Sequence, residues 1–170
     1  MAKANVFQLL VNELAQGDVG DGTSADDENA YRKLASPEAL GPGAHDALAE
    51  LAYLAVGSDG SIAEEEETLL RSWFSLLDGN DANYGKRFDT YADRKTADGR
   101  AGRLSAVATA LTTPAARRLG YALVFALTSS DLARSPKEVR FEADVAIALG
   151  LDEVQIGELE LLVMSKLSVA

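Results

Sequence analysis

Residues 44–77 read AHDALAELAYLAVGSDGSIAEEEETLLRSWFSLL, and this stretch decides the fold. Leu48, Leu51, Ala52 and Ala55 recur at helical spacing up to Val56. Gly57-Ser58-Asp59-Gly60 then stops the run, as turn residues do. The helical period resumes after Ser61 with Leu69, Leu70, Trp73, Phe74, Leu76 and Leu77. The local unit is therefore an apolar helix, a turn opening on Asp, and a second amphipathic helix.

A shift of 72 residues reproduces the unit. Asp59 falls on Asp131, Glu66 on Glu138, Leu51 on Leu123, Tyr53 on Phe125, Leu69 on Phe141, Trp73 on Val145 and Leu77 on Leu149. The match lies in physical character more than in identity. Outward from these units the chain stays helical. Phe7, Leu10, Val11 and Leu14 share one face of a helix over 3–15, and Leu104, Val107, Ala108 and Leu111 mark another, closed by Thr112-Thr113-Pro114. Pro114 suits the first helical position after a Thr cap, and the helix it opens is apolar almost all round from Leu119 to Leu127, the pattern of a buried centre. Ser135-Pro136-Lys137-Glu138 is a capping box, Gly150 a helix stop, and Asp152 the cap of the last helix, with Leu151 and Ile156 spaced as a hydrophobic staple. No stretch alternates with period two over a strand length. The expected fold is all-α, with an internal duplication of a helix–Asp turn–helix unit.

The expected partition is an N-terminal helix and flexible Gly/Asp-rich segment over 1–43, then a helical domain over 44–170 with repeat units near 44–79 and 116–151. Gln16 to Asn29 reads as a loop, a short helix around 26–35 is compatible with the pattern, and Tyr84, Phe88 and Tyr91 suit one or two short helices in the polar stretch 78–98.

The 170 residues carry 27 acidic against 16 basic side chains, a formal net charge of −11. That argues against a general nucleic-acid or anionic-membrane binder and suits a cation or a basic protein partner. The chain has no cysteine, which excludes disulfides, thiolate zinc sites and cysteine nucleophiles. Its longest strongly apolar run, Tyr121 to Leu127, is far short of a membrane span, and the cytoplasm is the expected compartment.

Ser58-Asp59-Gly60-Ser61-Ile62 followed by Glu66 resembles the Asp-Gly-x-Ile-x-x-x-Glu element of the tellurite-resistance TerB-like family. Asp131 with Ser135-Pro136-Lys137-Glu138 is similar to its second copy, and Leu149-Gly150-Leu151-Asp152 to its closing segment. The resemblance covers roughly 44–167 and implies an all-helical protein of bacterial stress response or tellurite resistance, without enzymatic activity, whose acids gather into a candidate metal site. Leu132 and Arg134 depart from the pattern, and Arg134 brings a charge able to neutralise nearby acids.

Asp59, Glu66, Asp131 and Glu138 are thus the candidate ligands for a hard divalent cation, Ca²⁺ or Mg²⁺, which takes several carboxylate oxygens. The competing reading is structural. Asp before Gly is ordinary turn chemistry, Glu138 is the third residue of a capping box, and Glu64 to Glu67 complement a helix start. Asp78-Gly79-Asn80-Asp81 fails as an EF-hand at Ala82 and Asn83, and Asp18 to Asn29 fails likewise. Between 86 and 103, Lys86, Arg87, Arg94, Lys95, Arg100 and Arg103 outnumber Asp89, Asp93 and Asp98, and pairing with the acidic helices is the expected use of this excess. His45 reads as a surface residue and Trp73 as core. One histidine and no cysteine leave no catalytic constellation, so catalysis is not expected, nor is an organic cofactor. An acidic interaction adaptor or immunity-like protein without a metal is the alternative function.

Overall fold

The computed structural model describes residues 4–15, 40–41, 43–58, 60–78, 81–129 and 134–169. The loop expected over 16–29 and the helix considered near 26–35 lie outside the described residues. Among the described residues are seven helices and no strand: α1 Ala4–Ala15, α2 Ala44–Val56, α3 Glu64–Asp78, α4 Tyr84–Ala110, α5 Pro114–Thr128, α6 Pro136–Ala148 and α7 Glu153–Val169.

Helix α5 is the centre, as its all-round apolar sequence suggests. Every residue from Leu119 to Thr128 is buried, and α1, α2, α6 and α7 pack around it. Gly120 permits this closeness, because a Cβ there would come within 3.1 Å of Leu51 and 3.2 Å of Leu111. The start of α5 is fixed locally, with Pro114 in the first turn and the Thr113 hydroxyl accepting from the Ala116 N–H at 3.1 Å.

The α6–α7 corner is equally local. Gly150 takes φ +67°, its N–H reaches the Ile147 carbonyl at 3.1 Å, and the Leu151 N–H reaches Ala146 at 3.0 Å, a Schellman closure. Asp152 and Gln155 then cap α7 reciprocally, at 2.8 and 3.0 Å.

Helix α1 shares this core. Val6, Phe7, Leu10, Val11 and Leu14 are buried, α1 packs on α5, α7 and α3, and the Phe7 and Trp73 rings meet edge-on at 5.4 Å. The first helix and the residues after 44 are therefore parts of one packed unit. Trp73 is core, as expected, with its indole N–H on the Leu48 carbonyl.

The polar stretch expected to hold short helices instead begins α4, which runs from Tyr84 to Ala110 with a break at Gly99. Gly99 has φ 74° and ψ 163°, a conformation open essentially to glycine alone. The first half lays Tyr84, Phe88 and Tyr91 against Tyr53 and Phe74, with ring centroids 5.1–6.1 Å apart. The second half packs towards α6.

Candidate functional site

The two helix–turn–helix segments, α2–α3 and α5–α6, agree at their ends. Shifting Val56 by 72 gives Thr128, the last residue of α5, and shifting Glu64 gives Pro136, the first of α6. Their closing bonds also agree. Gly57 donates to Tyr53 and Ala55, and Ser129 to Phe125 and Leu127.

Within this frame, Glu66 and Glu138 occupy the same place, the third residue of a helix. Glu138 is buried; its carboxylate accepts from the Ser135 N–H at 2.5 Å while the Ser135 hydroxyl accepts from the Glu138 N–H at 3.2 Å. Glu66 accepts from the Ala63 N–H at 2.8 Å. Both acids therefore satisfy a helix-start donor that would otherwise be orphaned. Asp59 and Asp131 lie outside the described residues. Among the described residues there is no group of three or more His, Asp or Glu able to hold a metal ion.

The most developed polar arrangement lies elsewhere, between α2 and α4. Glu50 is 2 % exposed on the inner face of α2. Arg103 grips it through Nε at 2.6 Å and Nη2 at 2.9 Å, and Arg94 adds a third bond at 2.9 Å. Arg94 also reaches Asp46 at 2.9 Å, and Tyr91 donates its hydroxyl to Asp46 at 2.9 Å. Arg87 holds Asp78 with two bonds, at 2.7 and 2.5 Å, and donates to the Tyr91 oxygen at 2.6 Å. Arg100 turns to the carbonyls of Ser58 and Gly57 just past the end of α2, where a cation suits a helix C-terminus. The arginines of the basic stretch are thus used inside the molecule, as the charge pattern suggests.

The electrostatics follow. Burial pulls the Asp46 carboxyl upward, but the bonds from Arg94 and Tyr91 and the charges of Arg94 and Arg87 outweigh it and hold the group below its ordinary value. Burial, then the Asp46 charge, pushes the Tyr91 phenol up, while burial and Glu67 push Tyr84 up to about 12. Burial and the neighbouring Arg100 charge lower Lys95.

A second buried acid, Glu142, sits on α6. It accepts from the Thr128 hydroxyl and from two nitrogens of Arg134. Arg134 therefore does neutralise a carboxylate, though Glu142 rather than a member of the candidate ligand set. Sequence reading missed Glu50 and Glu142. The available signal was an acid set among Ala47, Leu51 and Leu54 in one case and beside Phe141 in the other. His45, read as a surface residue, is half-buried, and its Nε2 is enclosed with no hydrogen-bond partner among the described residues.

A groove of about 590 Å³ lies between the second half of α4, α5 and α6. Leu104, Ala108, Phe141 and Ala148 make it apolar, Asp144 is the one acid lining it, and Arg117 is spent on the Leu111 and Leu149 carbonyls. A pair of carboxylates for acid–base chemistry is not among its described lining residues. No helix among the described residues is long and apolar enough to cross a membrane. No protein-family model, curated protein or solved structure matches the chain.

Proposed function

We propose that the chain is a non-catalytic helical interaction module, built on two TerB-like helix–turn–helix units, whose acidic surface receives a basic protein partner. The observation that carries this reading is where the charges go. Arg87, Arg94 and Arg103 are matched within the fold by Asp46, Glu50, Asp78 and Asp98, a group that sums to −1, so −10 of the formal net charge of −11 is carried by the rest of the chain. An uncompensated acidic surface steers basic partners and repels nucleic acid and anionic lipid.

The duplicated unit is supported by the agreement of helix ends and by the shared capping use of Glu66 and Glu138. With the TerB-like resemblance comes a setting, a cytoplasmic stress or tellurite-response assembly, in which such a module would act. The cation reading at Asp59, Glu66, Asp131 and Glu138 is favoured by the same equivalence of position. It is weakened because two of its four acids already serve backbone N–H groups.

Affinity capture with the purified chain as bait, eluted by rising salt, tests the interaction reading. The expected result is a basic protein retained at low ionic strength and released by about 0.5 M salt, where screening is strong. Retention of no protein, with stabilisation specific to a divalent cation, would overturn it in favour of the cation reading.

A further inference from the structure

Helix α7 is apolar on two faces. Leu159 and Val163 are buried, and Ile156, Leu162 and Leu167 pack against the core. On the opposite face Val154 is 69 % exposed, Leu161 74 % and Met164 44 %. Val154, Gly157, Leu161 and Met164 follow one another at intervals of three, four and three, the spacing of a coiled-coil seam.

Gly157 supplies an independent observation. It lies inside α7, where glycine weakens a helix by about 0.5–1 kcal/mol relative to alanine. It has no positive φ that would require glycine, and a Cβ there would meet nothing within 4 Å. The fold therefore gives no reason for it. In a seam it leaves a hole between Val154 and Leu161 that a side chain from a facing helix can enter.

Charge selects the occupant. Helical geometry puts Glu153 along one edge of the stripe and Glu158 along the other, while Glu160 accepts from the Tyr121 hydroxyl and the helix's one basic residue, Lys166, is paired with Glu13 of α1. Two copies of this seam would bring like charges together at the flanking positions, which is unfavourable. We infer that the Val154–Gly157–Leu161–Met164 face of α7 docks an amphipathic helix of a partner protein, whose apolar seam is flanked by Lys or Arg. This inference rests on the interaction-module reading and gives it a surface and a partner chemistry.

The test uses the full chain and three fluorescent synthetic helices: one with Leu at the seam and Lys at its flanks, one with Glu at the flanks, and one of the Lys composition scrambled to abolish the seam. The Lys-flanked helix is expected to bind with a Kd below about 100 µM and the other two more weakly. Leu161→Asp, on an exposed site, is expected to weaken that binding about tenfold or more while leaving the melting temperature near wild type. Gly157→Ala is expected to raise the melting temperature and yet weaken the peptide, an opposition that a merely structural glycine would not produce. Glu153→Lys with Glu158→Lys is expected to transfer preference to the Glu-flanked helix.

No binding of the Lys-flanked helix, equal binding of its scrambled form, or indifference to Leu161→Asp would overturn the inference. So would concentration-dependent dimerisation of the wild-type chain that Leu161→Asp abolishes, which would make a second copy the occupant. Tighter peptide binding by an Arg32→Glu, Lys33→Glu variant would also overturn it, assigning the face to the chain's own Tyr31-Arg32-Lys33-Leu34, a basic sequence between apolar residues. A salt-sensitive protein complex that survives Leu161→Asp would remove α7 from the account and leave the interaction reading standing.

Discussion

The segments α2–α3 and α5–α6 begin and end alike, yet they are held by different forces. In the first, α2 carries Glu50 inward and receives three arginine bonds from α4. In the second, the residue 72 places on is Ala122, and α5 is buried all round from Leu119 to Thr128. Its buried acid lies on the second helix instead, as Glu142, where the first segment has Leu70. Backbone equivalence therefore does not carry the placement of charge with it. The caps are set by local chemistry, buried Glu138 among them, whereas Glu50 and Glu142 each answer to arginines from outside their own helix.

Removing those acids sharpens the comparison most. Glu50→Ala leaves Arg103, whose side chain is only 16 % exposed, with Asp98 alone, and should cost about 3 kcal/mol by chemical denaturation. Glu142→Ala strands an Arg134 that is 34 % exposed and better hydrated, so its cost should be smaller, about 2 kcal/mol. Equal losses would remove the distinction drawn between the two segments.

Gly99 lets one helix serve both segments, its first half on α2 and its second towards α6. Gly99→Ala should destabilise by about 1–3 kcal/mol, because alanine resists that backbone conformation. A stabilisation of up to about 1 kcal/mol would instead mean a continuous helix. The caps give a finer contrast. Ser135→Ala should cost about 1 kcal/mol, whereas Ala63→Ser should gain somewhat less by completing the box that Glu66 half-forms.

The smallest effect concerns Asp46, about half exposed, in contact with Arg87, Arg94 and Tyr91. Its folded value lies below the ordinary 3.8 or so, so its contribution is present above that pH and lost as pH falls through the folded value. Asp46→Asn should lower stability modestly at pH 7, by less than about 1 kcal/mol given its exposure. The variant and the wild type should converge as pH falls below the folded value of Asp46, and a difference that grows with acid would contradict the assignment.

Much of this molecule was legible as local chemistry. The Thr113 cap, the Ser135 box, the Gly150 stop and the apolar girth of α5 each need only a few neighbouring residues to specify them. The first half of α4 was less legible because its order comes from elsewhere. Pairing of Arg87 and Arg94 with acids was expected from the charge pattern, but their partners Asp78, Asp46 and Glu50 lie 9 to 48 residues away and nothing local names them. Glu50 was obscured for the same reason, and Glu142, whose partner Arg134 is eight residues away, because nothing local marks it among the acids of α6 as the one turned inward. Glu138 carried both of its readings openly, ligand and cap. Glu66 lacked a Ser or Thr at Ala63 to announce its capping use.

The central claim is that these two acids serve the helix starts and that function resides on the acidic and apolar surface. The most direct measurement is the melting temperature in Ca²⁺, Mg²⁺, Mn²⁺ and Zn²⁺ against monovalent salt of equal ionic strength, for wild type and for Glu66→Gln with Glu138→Gln. The account expects divalent and monovalent salts to act alike, and the double variant to remain near wild type because Gln also serves at the capping position. A rise specific to one divalent cation, following RT ln(1 + [L]/Kd) and abolished in the double variant, would contradict it.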